Sequence, residues 1–322
     1  MGFVTGPVTV RAPATSANLG PGFDALGLAL RLYDDVTVEI TTAPTVVDVR
    51  GEGAGRLPEG ETHLVVRAMR AAFSALAQQP PGLAVRCTNR IPQARGLGSS
   101  SAAIVAGLVA ARALVEDGTG ALPDAALLRL AAELEGHPDN VAPCLLGGFT
   151  IAWTGPDGAE AVSMAPADTV PPRIFVPEER GLTAVARAAL PATVPHADAA
   201  LTAGRAALLV HALTRDPALL FAATEDRLHQ AYRAPGMPGT AALVARLRAV
   251  DVAAVVSGAG PSVLALSQVP AGFDAGPGWR VLSVLVDPVG TTVSPGNTPR
   301  QTLLPQVGRV DYALDRQQPR SA

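Results

Sequence analysis

Arg95-Gly96-Leu97-Gly98-Ser99-Ser100-Ser101-Ala102-Ala103 sets two glycines and three serines in a loop that runs straight into the apolar stretch Ala102 to Val115. Glycine lets a backbone approach a ligand closely. The first N–H groups of a helix lack intrahelical partners, and the helix dipole adds roughly half a positive charge at that end. These residues describe an anion cradle, with serine hydroxyls that donate to phosphate or ligate Mg²⁺. Taken alone the stretch reads equally well as a serine-rich helix cap, so its surroundings must decide.

Outward from the loop, strand and helix signals alternate. Upstream, Leu83 to Cys87 reads as a strand and Leu64 to Ala77 carries apolar residues at helical spacing. Asp35 to Thr41 alternates as a half-buried strand with Val36, Val38 and Ile40 on one face. Val8 to Val10 opens as a strand and passes into a polar turn through Thr15, Ser16 and Asn18, then a Gly/Pro bend at Gly20 to Gly22. Downstream, Pro123 and Asp124 begin a helix that runs to Glu135, and Leu145 to Trp153 resembles a strand. Further on come a strand at Arg173 to Val176, helices over Ala199 to Leu213 and Pro217 to Leu228, and a strand at Ala253 to Ser257. At 322 residues the chain exceeds the size at which one core stops growing. Two lobes are expected, 1–160 and 161–290. Residues 291–322, rich in Pro, Gln, Thr and Arg with weak periodicity, are predicted to form a flexible tail.

Composition removes several function classes. A net charge of -3 and a pI near 6.0 offer no basic field for a polyanion, so nucleic acid is not an expected partner. Cys87 and Cys144 stand far apart and build neither a disulfide framework nor a Cys-rich metal site, which points to the cytoplasm. The first ten residues lack a basic flank followed by an apolar run, and no stretch nears the ~20 apolar residues of a membrane helix, so neither secretion nor membrane anchoring is expected. All 25 basic residues are Arg. Without Lys there is no Walker P-loop, no protein-kinase strand lysine and no Schiff-base chemistry.

Two further clusters accompany the loop. Pro13-Ala14-Thr15-Ser16-Ala17-Asn18-Leu19-Gly20-Pro21-Gly22-Phe23-Asp24 offers the amide of Asn18 and the carboxylate of Asp24 in a stiff Gly/Pro frame, suited to a polar headgroup. Glu135-Gly136-His137-Pro138-Asp139-Asn140 gathers carboxylate, imidazole and amide groups at the end of a helix. Together with Ser257-Gly258-Ala259-Gly260-Pro261-Ser262, these loops resemble the motifs of the GHMP kinases in order, spacing and content, over most of the chain up to about Asp287. Within that superfamily, Pro13 to Asp24 and Glu135 to Pro143 look most like the homoserine kinases, as do Leu182 to Pro191 and Asp226 to Arg233.

The resemblance implies an α+β, two-lobed fold, with an N-terminal lobe like ribosomal protein S5 and a ferredoxin-like C-terminal lobe. It also implies an ATP-dependent phosphorylation of the L-homoserine hydroxyl that feeds threonine synthesis, and a homodimer. ATP would be bound by Arg95, Gly96, Leu97, Gly98, Ser99, Ser100, Ser101 and His63, with its phosphates over Gly96 to Ser101, and Mg²⁺ would be held by Ser100 and Glu135. Glu133 is read as solvated. Homoserine brings a carboxylate, an ammonium and a hydroxyl. Arg187 and Arg233 would pair with the carboxylate and Asp24 with the ammonium. Asn18, His137, Asn140 and Thr183 would orient the rest, with Ser100, Glu135, Asn140 and Arg187 closest to the chemistry. Asp139 sits where a base is expected but reads equally as a structural carboxylate, and a transfer in which the γ-phosphate itself takes the hydroxyl proton is the mechanistic expectation. His63 departs from the pattern, standing where relatives usually present an Asn near the adenine. The remaining alternatives are a mevalonate- or sugar-type kinase of the same superfamily and a non-catalytic metabolite sensor. A dinucleotide-binding oxidoreductase fails because the loop lacks the third glycine and the acidic residue about 20 positions on.

Overall fold

The structure is a computed structural model that describes residues 2–295. Its first lobe runs β1 (Val8–Asn18), β2 (Gly22–Thr41), β3 (Val46–Gly51), α1 (Leu64–Ala75), β4 (Gly82–Asn89), α2 (Ser99–Ala113), α3 (Gly118–Ala121), α4 (Asp124–Glu135), α5 (Val141–Leu146), β5 (Phe149–Gly155) and β6 (Gly158–Met164). The second runs β7 (Arg173–Pro177), α6 (Thr183–Ala188), α7 (His196–Thr214), α8 (Leu220–Ala223), α9 (Gln230–Arg233), α10 (Pro238–Arg248), β8 (Ala254–Val256), β9 (Val263–Ala265) and β10 (Trp279–Ser283), before β11 (Thr292–Pro295).

A seven-stranded sheet in the order β11-β1-β2-β4-β3, with β5 and β6 continuing from β2, is covered on one face by α2. Residues Ala102 to Ala111 of α2 are apolar nearly all round because the helix is buried between β1, α1, α4 and α5. In β2, Val36 and Val38 point into that core while Thr37 and Glu39 face away. The second sheet is antiparallel, ordered β10-β7-β9-β8, which is the 4-1-3-2 order of a split βαβ unit in chain sequence. One continuous apolar cluster joins the lobes, from Val8 and Val10 through Leu209, Ala212 and Leu213 of α7 to Val255 and Leu264.

Several elements differ from the sequence expectation. Thr15, Ser16 and Asn18 are not a turn but the end of β1, paired with Ala29, Leu28 and Gly22. Their polar groups tolerate a buried strand because partners come from far along the chain, such as Asn140 for Thr15 and Ser257 for Ser16. Residues 141–146 are helical, and β5 begins at Phe149 only after Gly147 and Gly148 turn the chain at positive φ. The helix expected over Pro217 to Leu228 shrinks to a 3₁₀ turn and α8, since the Asp226 carboxylate takes the N–H groups of Leu228, His229 and Gln230 and starts α9 instead. The second lobe was expected to end at 290 and a tail to begin at 291. In the structure Leu285 and Asp287 already bond to β2, and Thr292–Pro295 pairs with β1. The rest of the expected tail, 296–322, lies outside the described residues.

Candidate active site

Gly98 caps α2 in the left-handed region, at φ 68°, where a Cβ would collide with Thr15 Oγ1. Gly96, at φ 69°, brings its backbone against Ser257 and Gly260 of the second lobe, and Ser257 Oγ donates to its carbonyl at 2.6 Å. The loop is thus clamped between the lobes with its N–H groups at the mouth of α2. It floors a cavity of about 250 Å³ whose walls carry Asn18, Asp24, Glu135, His137, Asp139, Asn140, Thr183, Arg187 and Arg233. A second cavity of about 300 Å³ meets the first at Ser99 and Ser100 and extends past His63, Asp34 and Asn89.

Ser100 Oγ donates to Glu135 Oε1 at 2.7 Å, and Ser101 Oγ donates to the same oxygen at 3.0 Å. Glu135 is the last residue of α4, which stops because Gly136 adopts φ 93° and its N–H caps Ala132. Glu133, two residues earlier, is exposed. A hydroxyl and one carboxylate beside the glycine loop form an oxygen donor set of the kind that suits Mg²⁺, which keeps most of its waters. Ser101 is fully buried and positions Glu135 rather than facing the cavity, and Leu97 lends only its backbone, its side chain being 1% exposed. Arg95, expected among the nucleotide contacts, borders the cavity while its side chain is engaged with backbone carbonyls. Its guanidinium donates to the carbonyls of Gln93, Pro177 and Glu178, tying the loop to the end of β7.

Beyond Gly136 the chain folds back under the cavity. His137 Nδ1 lies 2.6 Å from Asp139 Oδ1, and Asp139 is 2% exposed. That carboxylate raises the His137 pKa above its ordinary value. Asn140 accepts from Thr15 Oγ1 at 2.8 Å and so joins the helix end to β1.

The opposite wall belongs to the second lobe. The sequence assigned Arg187 and Arg233 alike to a substrate carboxylate, but their surroundings differ. Arg187, in the last turn of α6, grips Asp24 through two bonds of 2.8 Å, so Asp24 arrives already paired. Arg233 is 3% exposed, and among the described residues its guanidinium bonds only to the Ala186 and Gly258 carbonyls and to His229 Nδ1. Among the described residues no carboxylate lies within ion-pair distance of it. Burial, and then the charge of Arg187, work against its charged form. Phe23 lies between the two guanidinium groups, 5.6 Å from Arg187 and 5.3 Å from Arg233. The sequence reading passed over Phe23, although an aromatic between Gly22 and Asp24 in a polar loop was a signal. Asn18, at φ 67°, uses its amide to hold Asp24 N–H and the Gly258 carbonyl, so it braces the loop across the lobes.

His63 caps α1 by accepting from Val65 N–H on Nδ1, which leaves the proton on Nε2. That atom is buried with no partner among the described residues, in the wall of the second cavity.

Residues 63–148 match the family model described as the GHMP kinases N terminal domain. A homoserine kinase of Streptomyces avermitilis is 58% identical over 298 residues, covering 91% of this chain and 97% of the relative. One from Clavibacter michiganensis is 53% identical over 89% of this chain and 93% of its own. The crystal structure of homoserine kinase from Cytophaga hutchinsonii superposes with a TM-score of 0.77 at 28% identity, covering 91% of this chain and 99% of that one. With identity at this level along nearly the whole length, and the glycine-serine loop, the Ser100–Glu135 pair and the Arg-lined wall meeting in one cleft, the chain belongs to the homoserine kinase family of the GHMP kinases.

Proposed function

We propose that this chain transfers the γ-phosphoryl group of ATP to the side-chain hydroxyl of L-homoserine, giving O-phospho-L-homoserine for threonine synthesis. The observation that carries the acceptor is Arg233, a buried guanidinium without a carboxylate partner among the described residues, in the same cavity as a phosphate cradle. A substrate carboxylate seated there supplies the missing counter-charge. Asp24, shared with Arg187, faces the ammonium, and Thr183 and His137 border the remaining space. The hydroxyl then lies toward the loop of residues 96–101.

ATP phosphates fit over that loop and the base fits the second cavity beside His63. Ser100 and Glu135 would hold Mg²⁺, which when bound neutralises charge on the β- and γ-phosphates. The homoserine oxygen forms a bond to the γ-phosphorus while the bond to the β,γ-bridging oxygen breaks and ADP leaves. The hydroxyl proton passes to a γ-phosphate oxygen, since Asp139 Oδ1 is engaged with His137.

No helix among the described residues is long and apolar enough to cross a membrane. Cys87 and Cys144 are both buried and unpaired, which supports a cytoplasmic location. The homodimer rests on the family resemblance.

An ADP-release assay with Mg²⁺ and L-homoserine, mevalonate or galactose tests the reading. Turnover is expected with homoserine, and Ser100→Ala should lower it by about 10²-fold or more while the protein stays folded. Turnover with mevalonate or galactose in preference would move the acceptor.

A further inference from the structure

His229 is fully buried and touches Phe23 and Arg233, two of the groups that line the proposed carboxylate seat. Nε2 lies 2.8 Å from the Gly20 carbonyl, Nδ1 lies 3.2 Å from Arg233 Nη1, and the ring stacks on Phe23 at 5.2 Å. A carbonyl only accepts and a guanidinium only donates, so these neighbours together fix one tautomer, neutral with the proton on Nε2. Asp226, whose Oδ2 lies 3.6 Å from Nε2, also holds the backbone N–H of His229, so the ring has little room to turn.

We propose that His229 is a positioning residue for the substrate carboxylate: its Nδ1 lone pair sets the plane of the Arg233 guanidinium, with Phe23 stacked beneath both, so carboxylate binding depends on His229 remaining neutral. The proposal rests on the reading of Arg233 as the carboxylate seat. Nη1 of Arg233 is occupied by His229 and Gly258, and Nε by Ala186, which leaves Nη2 as the nitrogen without a protein partner among the described residues. A proton added to Nδ1 would turn that acceptor into a donor 3.2 Å from another donor, beside a second positive charge.

The pH dependence follows from the surroundings. Asp226 and Asp24 favour the charged ring, the latter partly offset by its pairing with Arg187, while Arg233 disfavours it and burial disfavours it most, so the pKa lies below 6.5. The site is therefore intact at neutral pH and is lost as pH falls through that lowered value.

The test is steady-state kinetics on the whole enzyme with ATP, Mg²⁺ and L-homoserine, for wild type, His229→Phe, His229→Gln, Arg233→Ala and the Phe/Ala double variant. His229→Phe keeps an aromatic on Phe23 but removes both polar contacts. It is expected to raise the homoserine KM about tenfold with the ATP KM within about twofold of wild type. In the Arg233→Ala background it should add nothing further, since it acts through that residue. His229→Gln can offer a donor and an acceptor, so it should recover most of the affinity and abolish the rise in homoserine KM on the acid side. If Arg233→Ala leaves the homoserine KM unchanged, the carboxylate seat is misassigned and the proposal falls with it. If Arg233→Ala is defective while His229→Phe is silent, raises both KM values alike or adds in full to the double variant, the proposal alone is overturned. Should His229→Phe fail to fold, matching pH profiles for wild type and His229→Gln would overturn it, and an acid limb confined to wild type would support it.

Discussion

Arg187 and Arg233 reach the same aromatic ring from the second lobe, but of the two only Arg187 has its charge matched among the described residues. Sequence alone could not separate them, because the difference lies in Asp24, 163 positions away from Arg187, and in the neutral His229 beside Arg233. The Ser100–Glu135 pair was reached through the family resemblance, since the two residues stand 35 positions apart and only the fold brings the serine loop to the end of α4. Asp139 belongs to the same scale. One of its oxygens is held by His137, so Asp139→Asn is expected to lower kcat by less than about tenfold in a folded protein; a fall of 10² to 10⁴, measured with saturating substrates, would mark it as a general base. The pair also carries a pH signature. The His137 pKa is raised above 6.5, so its stabilising contribution is full below that value and is lost as pH rises through the folded-state pKa. Urea unfolding across the pH range should show the stability gap between wild type and His137→Gln narrowing toward the alkaline side, and a constant gap would deny the ion pair any part in folding.

At the scale of elements, α2 was the most readable part of the chain. Its apolar run, its serine-rich start and the glycines before it all agree, and the structure places it buried against β1 with the loop at its mouth. The strand end Thr15–Asn18 was not readable, because polar residues beside glycine and proline describe a turn unless distant partners satisfy them. Asp226 hid for a similar reason, capping α9 where helical spacing suggested continuity. Gly98 tests the loop. Alanine at φ 68° costs about 1–2 kcal/mol in backbone strain and adds a Cβ where Thr15 Oγ1 sits. Gly98→Ala is expected to lower Tm by about 2–8 °C and to raise the ATP KM in the protein that remains folded. An unchanged ATP KM would argue that the loop does not cradle phosphate.

Across the whole molecule, the cleft exists because both lobes supply its walls and one apolar cluster holds them together. Asn18 reaches Gly258, Arg95 reaches Pro177 and Glu178, and Ser257 reaches Gly96, so the cavity-lining segments around residues 18 and 96 are braced from the other lobe. Length and motif order made two lobes legible. The return of residues 285–295 to the first sheet was not, since a short Pro- and Thr-rich strand shows its pairing only beside the free edge of β1. On the proposed reading the acceptor would lie with its carboxylate toward Arg233 and its hydroxyl toward the loop of residues 96–101. The most direct test is phosphorus–proton correlated NMR of the product formed from ATP, Mg²⁺ and L-homoserine. A phosphoester coupled to the side-chain methylene protons next to oxygen is the predicted result. An acyl phosphate on the carboxyl group, or no homoserine-dependent phosphorus signal, would contradict it.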